Sequence, residues 1–254
     1  MFLSVAILVA LAETIFPPAL AVVFAVAWRR QTAPRVSGLL GFPLGACLFV
    51  FAWIAKQLLL IAGLHDLLID VSTTPRIVLS CSGAGLLAGL VEESVRFGAG
   101  AFLFRAAREL RPLRAAVLFG IGWGGMEAAM TGLGSLSTIV DAINEGMVAP
   151  SAWLPLAGLV ERASAILLHV AFTAFAARAA ASRPRAAFGI FAATIGVHAA
   201  IDAGVRAISL RDLDGANAVL LEIYFGICAL AVFAIAARLK TSSARRAESL
   251  APSP

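Results

Sequence analysis

Long apolar runs separated by short polar segments set the pattern of the chain: Leu3–Trp28, Gly38–Ala62, Ile77–Phe104, Ala115–Val140, Leu154–Ala177, Ala186–Ser209 and Ala216–Ala237. A helix rises ~1.5 Å per residue and a hydrocarbon core is about 30 Å thick, so each run is long enough to span a bilayer. The pattern predicts an all-α fold, a polytopic transmembrane helix bundle of about seven spans, with residues 1–239 forming one bundle domain. Residues 240–254 turn polar and end in Pro-Ser-Pro, which predicts a disordered tail. The first run has Ala25-Val26-Ala27 near its end, as at a signal cleavage site, but lacks a basic leader and is too apolar over too great a length. It reads as a retained span. No 20–50-residue repeat interrupts this organisation.

The loops carry the orientation signal. Arg29–Arg35, Arg105–Arg114, Arg178–Arg185 and Arg238–Arg246 are basic, whereas His65–Arg76 and Asp141–Glu145 lean acidic and Arg206–Asp214 is balanced. Lysine and arginine are retained on the cytoplasmic side, so the alternation predicts an external N-terminus and a cytoplasmic C-terminus. Composition agrees with a membrane protein: 61% hydrophobic and 14% charged residues, with a mean hydropathy of +0.93, against roughly 45–50% and 25% in soluble domains. The net charge of +5 belongs to loops rather than to one face, and no RNA- or DNA-binding motif accompanies it, which excludes a nucleic-acid partner. Cys47, Cys81 and Cys228 lie in apolar stretches without metal-type spacing and read as small core residues.

Against this background the ionisable groups inside the runs stand out: Glu92-Glu93 with Arg96, then Glu127, then His198 with Asp202. A charged side chain at the centre of a spanning helix costs roughly 2.5–3.5 kcal/mol on insertion scales, and such residues mark functional sites by default. Singly, each could instead be an interhelical contact. Counted from the cytoplasmic boundaries, Glu92, Glu127 and His198 lie about 18 Å deep and His169 about 13 Å deep, so several helices bring ionisable groups to one level.

Spacing refines this. Glu92 and Arg96 are four apart and share a helical face, with Glu93 about 100° away; His198 and Asp202 repeat the spacing, as do Trp123 and Glu127. The spacing predicts a Glu92–Arg96 pair and an Asp202 carboxylate that orients one nitrogen of His198 while the other faces the site. Adjacent carboxylates in a low-dielectric place cannot both carry charge cheaply, which lets a general base and a general acid coexist. Water attack on a peptide carbonyl needs these roles. A metal held among Glu92, Glu93, Glu127, His169, His198 and Asp202 is an open alternative, zinc or manganese fitting the donor types, although no His-Glu-x-x-His motif is present. So are a cation- or proton-coupled transporter and a silent scaffold. Gly120, Gly122, Gly124 and Gly125 beside Glu127 point to close packing or local helix distortion. Glu13 before Pro17-Pro18 reads as a kink contact, and Lys56, Glu161, Arg162, Arg206 and Glu222 as snorkelling residues near span ends.

These residues resemble the glutamic intramembrane protease superfamily, which includes the CAAX prenyl-protease, PrsW and YhfC types. Glu92-Glu93-Ser94-Val95-Arg96 looks like its double-glutamate motif, Trp123-Gly124-Gly125-Met126-Glu127 like its second motif, and His198-Ala199-Ala200-Ile201-Asp202 like its third. The Gly-rich stretch before Glu127 is most similar to the YhfC branch. This chain departs from that branch in carrying Trp123 rather than histidine, and from many prenyl-protease relatives in carrying Glu127 rather than histidine. The resemblance implies an intramembrane peptidase of a bacterial cytoplasmic membrane acting on a membrane protein or lipid-modified peptide, without a cofactor. It implies that Glu92 activates the water, that Glu127 holds the second catalytic position and that His198 with Asp202 supports the oxyanion. Glu93, Arg96, His169 and Trp123 would support them.

Overall fold

The computed structural model describes residues 36–64, 74–106, 112–145, 153–210 and 215–248, with scattered positions between 11 and 26. The elements are α1 (Val36–Leu59, running into a π-helical turn Leu60–Leu64), α2 (Thr74–Ala106), α3 (Pro112–Asn144), α4 (Trp153–Ala180), α5 (Pro184–Ser209) and α6 (Gly215–Glu248). Among the described residues there is no strand. Helical backbone is also described at Leu11, Ala21 and Val26 of the first apolar run, whereas Glu13 lies outside the described residues. Pro75, Pro112, Pro155 and Pro184 sit in the first turns of their helices. There the missing N–H has no intrahelical partner to lose, and the fixed φ suits the helix. Arg183, extended at φ −66° and ψ 152°, marks the entry to α5.

The polytopic helical expectation holds. Five helices of the described residues are long and apolar enough to cross a membrane: Leu40–Ala62, Thr74–Ala101, Gly158–Ala180, Pro184–Ser209 and Val219–Arg238. α3, as long as α2, is not among these five. At 33 residues, α2 and α3 each reach about 50 Å, beyond a core of about 30 Å, because backbone hydrogen bonding carries a helix past the apolar segment. α6 likewise continues to Glu248, and residues 249–254 lie outside the described residues.

α4 is the hub, packing on α2, α3, α5 and α6. Its Ala165, Leu168, Ala171 and Phe172 form one core with Ile201 of α5 and Phe225, Ala229, Val232 and Ala236 of α6. A second core joins Phe49 and Ala52 of α1 to Phe119 and Trp123 of α3. Large apolar side chains such as Ile61, Phe188 and Leu230 point outward, as lipid-facing positions require.

Three glycine contacts hold the helix pairs that carry the polar residues. A Cβ on Gly122 of α3 would lie 2.0 Å from the Phe42 carbonyl oxygen of α1, one on Gly124 would lie 2.6 Å from Ile166 Cα of α4, and one on Gly85 of α2 would lie 2.3 Å from the Ala199 carbonyl oxygen of α5. Only glycine permits such approach, the usual device for packing helices when lipid leaves no hydrophobic drive between them. The Gly-rich stretch is therefore a packing surface, and it sets the spacing at which the site side chains meet.

Candidate active site

Glu92, Glu93 and Arg96 of α2, Glu127 and Trp123 of α3, His169 of α4, and His198 with Asp202 of α5 come together as one connected cluster. Glu92, Glu93, Arg96, Trp123, His169 and His198 are all buried. The side chains of Glu127 and Asp202 are partly open, 29% and 37% exposed, so the cluster has a wet or lipid-facing margin at those two residues.

Arg96 is the centre. It forms an ion pair through Nη1 with Glu93 Oε1, donates from Nη2 to His169 Nδ1 at 2.7 Å, and lies with its guanidinium 4.4 Å from the centre of the Trp123 ring. An indole face attracts a cation by about 2 kcal/mol when both are out of water. Trp123 is fixed for that role by an edge contact with Phe49 and a stacked contact with Phe119, both at 5.9 Å between centroids. The expected Glu92–Arg96 ion pair is present but long, with Glu92 Oε2 4.0 Å from Arg96 Nη2, and the residue three positions before the arginine, Glu93, is its closer partner. The reason lies on another helix. Glu92 Oε1 is taken by Lys56 Nζ of α1, whose side chain is only 20% exposed.

The imidazoles are oriented by these partners. Arginine has no acceptor, so His169 Nδ1 receives the Arg96 bond and its proton sits on Nε2, which donates to Glu127 Oε2. Both ring nitrogens of His169 are thereby engaged. A carboxylate only accepts, so His198 donates from Nδ1 to Glu93 Oε1 at 2.7 Å. His198 Nε2 then faces Asp202 Oδ2 at 3.6 Å and Glu92 Oε2 at 3.9 Å. The expected Asp202–His198 ion pair is therefore present on Nε2, while Glu93, reaching across from α2, is the closer partner and holds Nδ1.

Two oxygens remain over, Glu92 Oε2 and Glu93 Oε2, buried and without a hydrogen-bond partner. Glu92 Oε2, His198 Nε2 and Asp202 Oδ2 therefore face one another between α2 and α5, at separations too long for direct hydrogen bonds. Among the described residues no three His, Cys, Asp or Glu side chains gather into a metal-ligand cluster.

Sequence reasoning missed Lys56. It stands a turn before the end of its helix, where snorkelling is the usual reading, and no signal in the sequence pointed it toward α2. Two further residues expected to snorkel also turn inward: Arg162 is buried beside Glu161 at 2.6 Å, and Arg206 of α5 donates to Ser80 Oγ of α2 at 3.0 Å.

No curated protein and no solved structure matches the chain. A family model does, over residues 18–225, a stretch that contains every residue of the cluster and extends well beyond the three motifs. With the apolar helices, that match makes the chain an integral membrane protein, and it belongs to the YhfC intramembrane metalloprotease family.

Proposed function

We propose that the chain hydrolyses a peptide bond of a membrane-embedded or lipid-modified substrate in a bacterial cytoplasmic membrane, with its nucleophilic water in a notch that Glu92, His198 and Asp202 would border. The observation that carries this reading is Glu92 Oε2, buried without a hydrogen-bond partner and facing His198 Nε2 at 3.9 Å. Leaving a buried carboxylate oxygen bare costs free energy that a water donating to it recovers. Glu92 takes a proton from that water as its oxygen attacks the carbonyl carbon. The protonated His198 ring, held through Nδ1 by Glu93, donates from Nε2 to the developing oxyanion. The proton on Glu92 passes to the amide nitrogen as the C–N bond breaks, leaving a carboxylate and an amine. Asp202, at the open margin, helps seat the water. Glu127 acts at one remove, fixing His169 and through it Arg96.

The family description names a metal, and the residues of this chain do not fit one as they stand. Both nitrogens of His169 are engaged, and Trp123 occupies a position that offers no ligand. The Lys56 ammonium and the Arg96 guanidinium already neutralise Glu92 and Glu93.

The test uses membranes holding wild-type or Glu92→Gln protein, compared by proteomics for a membrane protein cleaved only in the wild type, followed by cleavage of that partner by purified protein. Glu92→Gln and His198→Ala are expected to abolish cleavage in folded, inserted protein, and EDTA or 1,10-phenanthroline to leave wild-type cleavage intact. Cleavage by Glu92→Gln at the wild-type rate would overturn the reading. Loss with chelator, restored by zinc or manganese, would move the chemistry to a metal.

A further inference from the structure

Lys56 is the one site cation contributed by α1, a helix that carries none of the residues of the three motifs. Its ammonium is paired with Glu92 Oε1, it is mostly buried, and Glu127 and Asp202 also lie within electrostatic reach of it. It is followed within one turn by the π-helical segment Leu60–Leu64, a feature that often accompanies functional positions in helices. A buried lysine at this position is costly unless paired, and its pairing divides the two oxygens of Glu92: one is held by a cation and the other is left bare toward His198.

We infer that Lys56 is a positioning residue for this hydrolytic site, fixing Glu92 in the charged state and in the rotamer that turns Oε2 to the notch. The inference rests on the reading of Glu92 as the base. The groups that face Glu92 from the surrounding helices are Lys56 of α1, Arg96 and Glu93 of its own helix, Glu127 of α3, His169 of α4, and His198 and Asp202 of α5. Arg96 stands 4.0 Å away and is committed to Glu93 and His169, so among the described residues Lys56 is the cation within hydrogen-bond distance of the Glu92 carboxylate. Without it a carboxylate among three others is held by no adjacent ammonium and takes up a proton more readily.

The experiment compares wild type, Lys56→Met, Lys56→Gln and Lys56→Arg as full-length protein in proteoliposomes. The first readout needs no substrate: the infrared carbonyl band of a protonated carboxylic acid, followed through a pH titration and assigned by its loss on adding Glu92→Gln. Lys56→Met and Lys56→Gln are expected to show that band at neutral pH, and wild type and Lys56→Arg are not. The second readout is cleavage of the partner found by proteomics, where kcat should fall about 10²-fold with KM unchanged, the acidic limb of the pH profile should move upward, and Lys56→Arg should restore most of the rate. If Lys56→Met does not insert, Lys56→Gln, which keeps a hydrogen-bond donor but no charge, carries the test. Absence of the band in a folded uncharged variant with unchanged cleavage would overturn the positioning role. Activity in Glu92→Gln would sink the hydrolytic reading instead, leaving the infrared result to stand or fall by itself.

Discussion

The Arg96–Glu93 pair offers the sharpest measurement of what holds this cluster together. Both side chains are fully buried, and each is the other's nearest opposite charge. Replacing Arg96 with Met leaves Glu93 buried with only the His198 bond. It also removes the cation over Trp123 and the donor to His169 Nδ1. Breaking a buried ion pair from one side costs about 3–5 kcal/mol, to which the lost cation–π contact adds about 2. Glu93→Gln leaves the guanidinium uncompensated and costs a similar 3–5 kcal/mol, while its amide oxygen can still accept from His198 Nδ1. In the double variant neither charge remains, so the pair's contribution is not lost twice. The double variant should then be more stable than the sum of the single losses by about 3 kcal/mol, roughly two decades in the unfolding equilibrium. The assay is loss of helical ellipticity in mixed micelles as the fraction of denaturing detergent rises, for all four proteins. Additivity within about 0.5 kcal/mol would show that the two charges do not depend on each other, and the account of Arg96 as the centre of the cluster would fall.

Two further expectations follow from the packing and the loop charges. Gly122→Ala places a methyl group 2.0 Å from the Phe42 carbonyl oxygen, so α1 must shift away from α3 and carry Lys56 with it. The variant should lose about 1–3 kcal/mol of stability and most of its hydrolytic activity, whereas Gly134→Ala, whose Cβ meets nothing within 4 Å, should be close to neutral. For topology, a reporter fused after Lys240 should be cytoplasmic and one inserted within 141–150 external, as protease protection and enzymatic reporters can read; both reporters on one side would remove the seven-span arrangement.

Helix identity and the membership of the cluster were legible in the sequence because both follow from one-dimensional patterns. Apolar length specifies a span, and an acid or base inside such a length is conspicuous by its cost. Which partner stands closer was not legible. The i, i+4 rule put Arg96 with Glu92, yet on a helix i, i+3 is equally close, and the choice between the two glutamates was made by Lys56 arriving from α1. The same holds for His198: spacing offered Asp202 as its orienting partner, while Gly85 lets α2 approach α5 closely enough for Glu93 to take Nδ1 first. Local rules list which neighbours are possible; helix packing selects among them.

Lys56 shows where such reasoning stops. Its place near the end of an apolar run is compatible with snorkelling to an interface or with turning inward, and the sequence of α1 contains nothing that separates the two. What separates them is the field of the partner helix: the two buried carboxylates, Glu92 and Glu93, face a single buried guanidinium unless another cation joins them. Counting charges within the cluster, instead of along each helix, makes a second cation a requirement of burying both Glu92 and Glu93. Lys56 meets it at the carboxylate Arg96 does not hold.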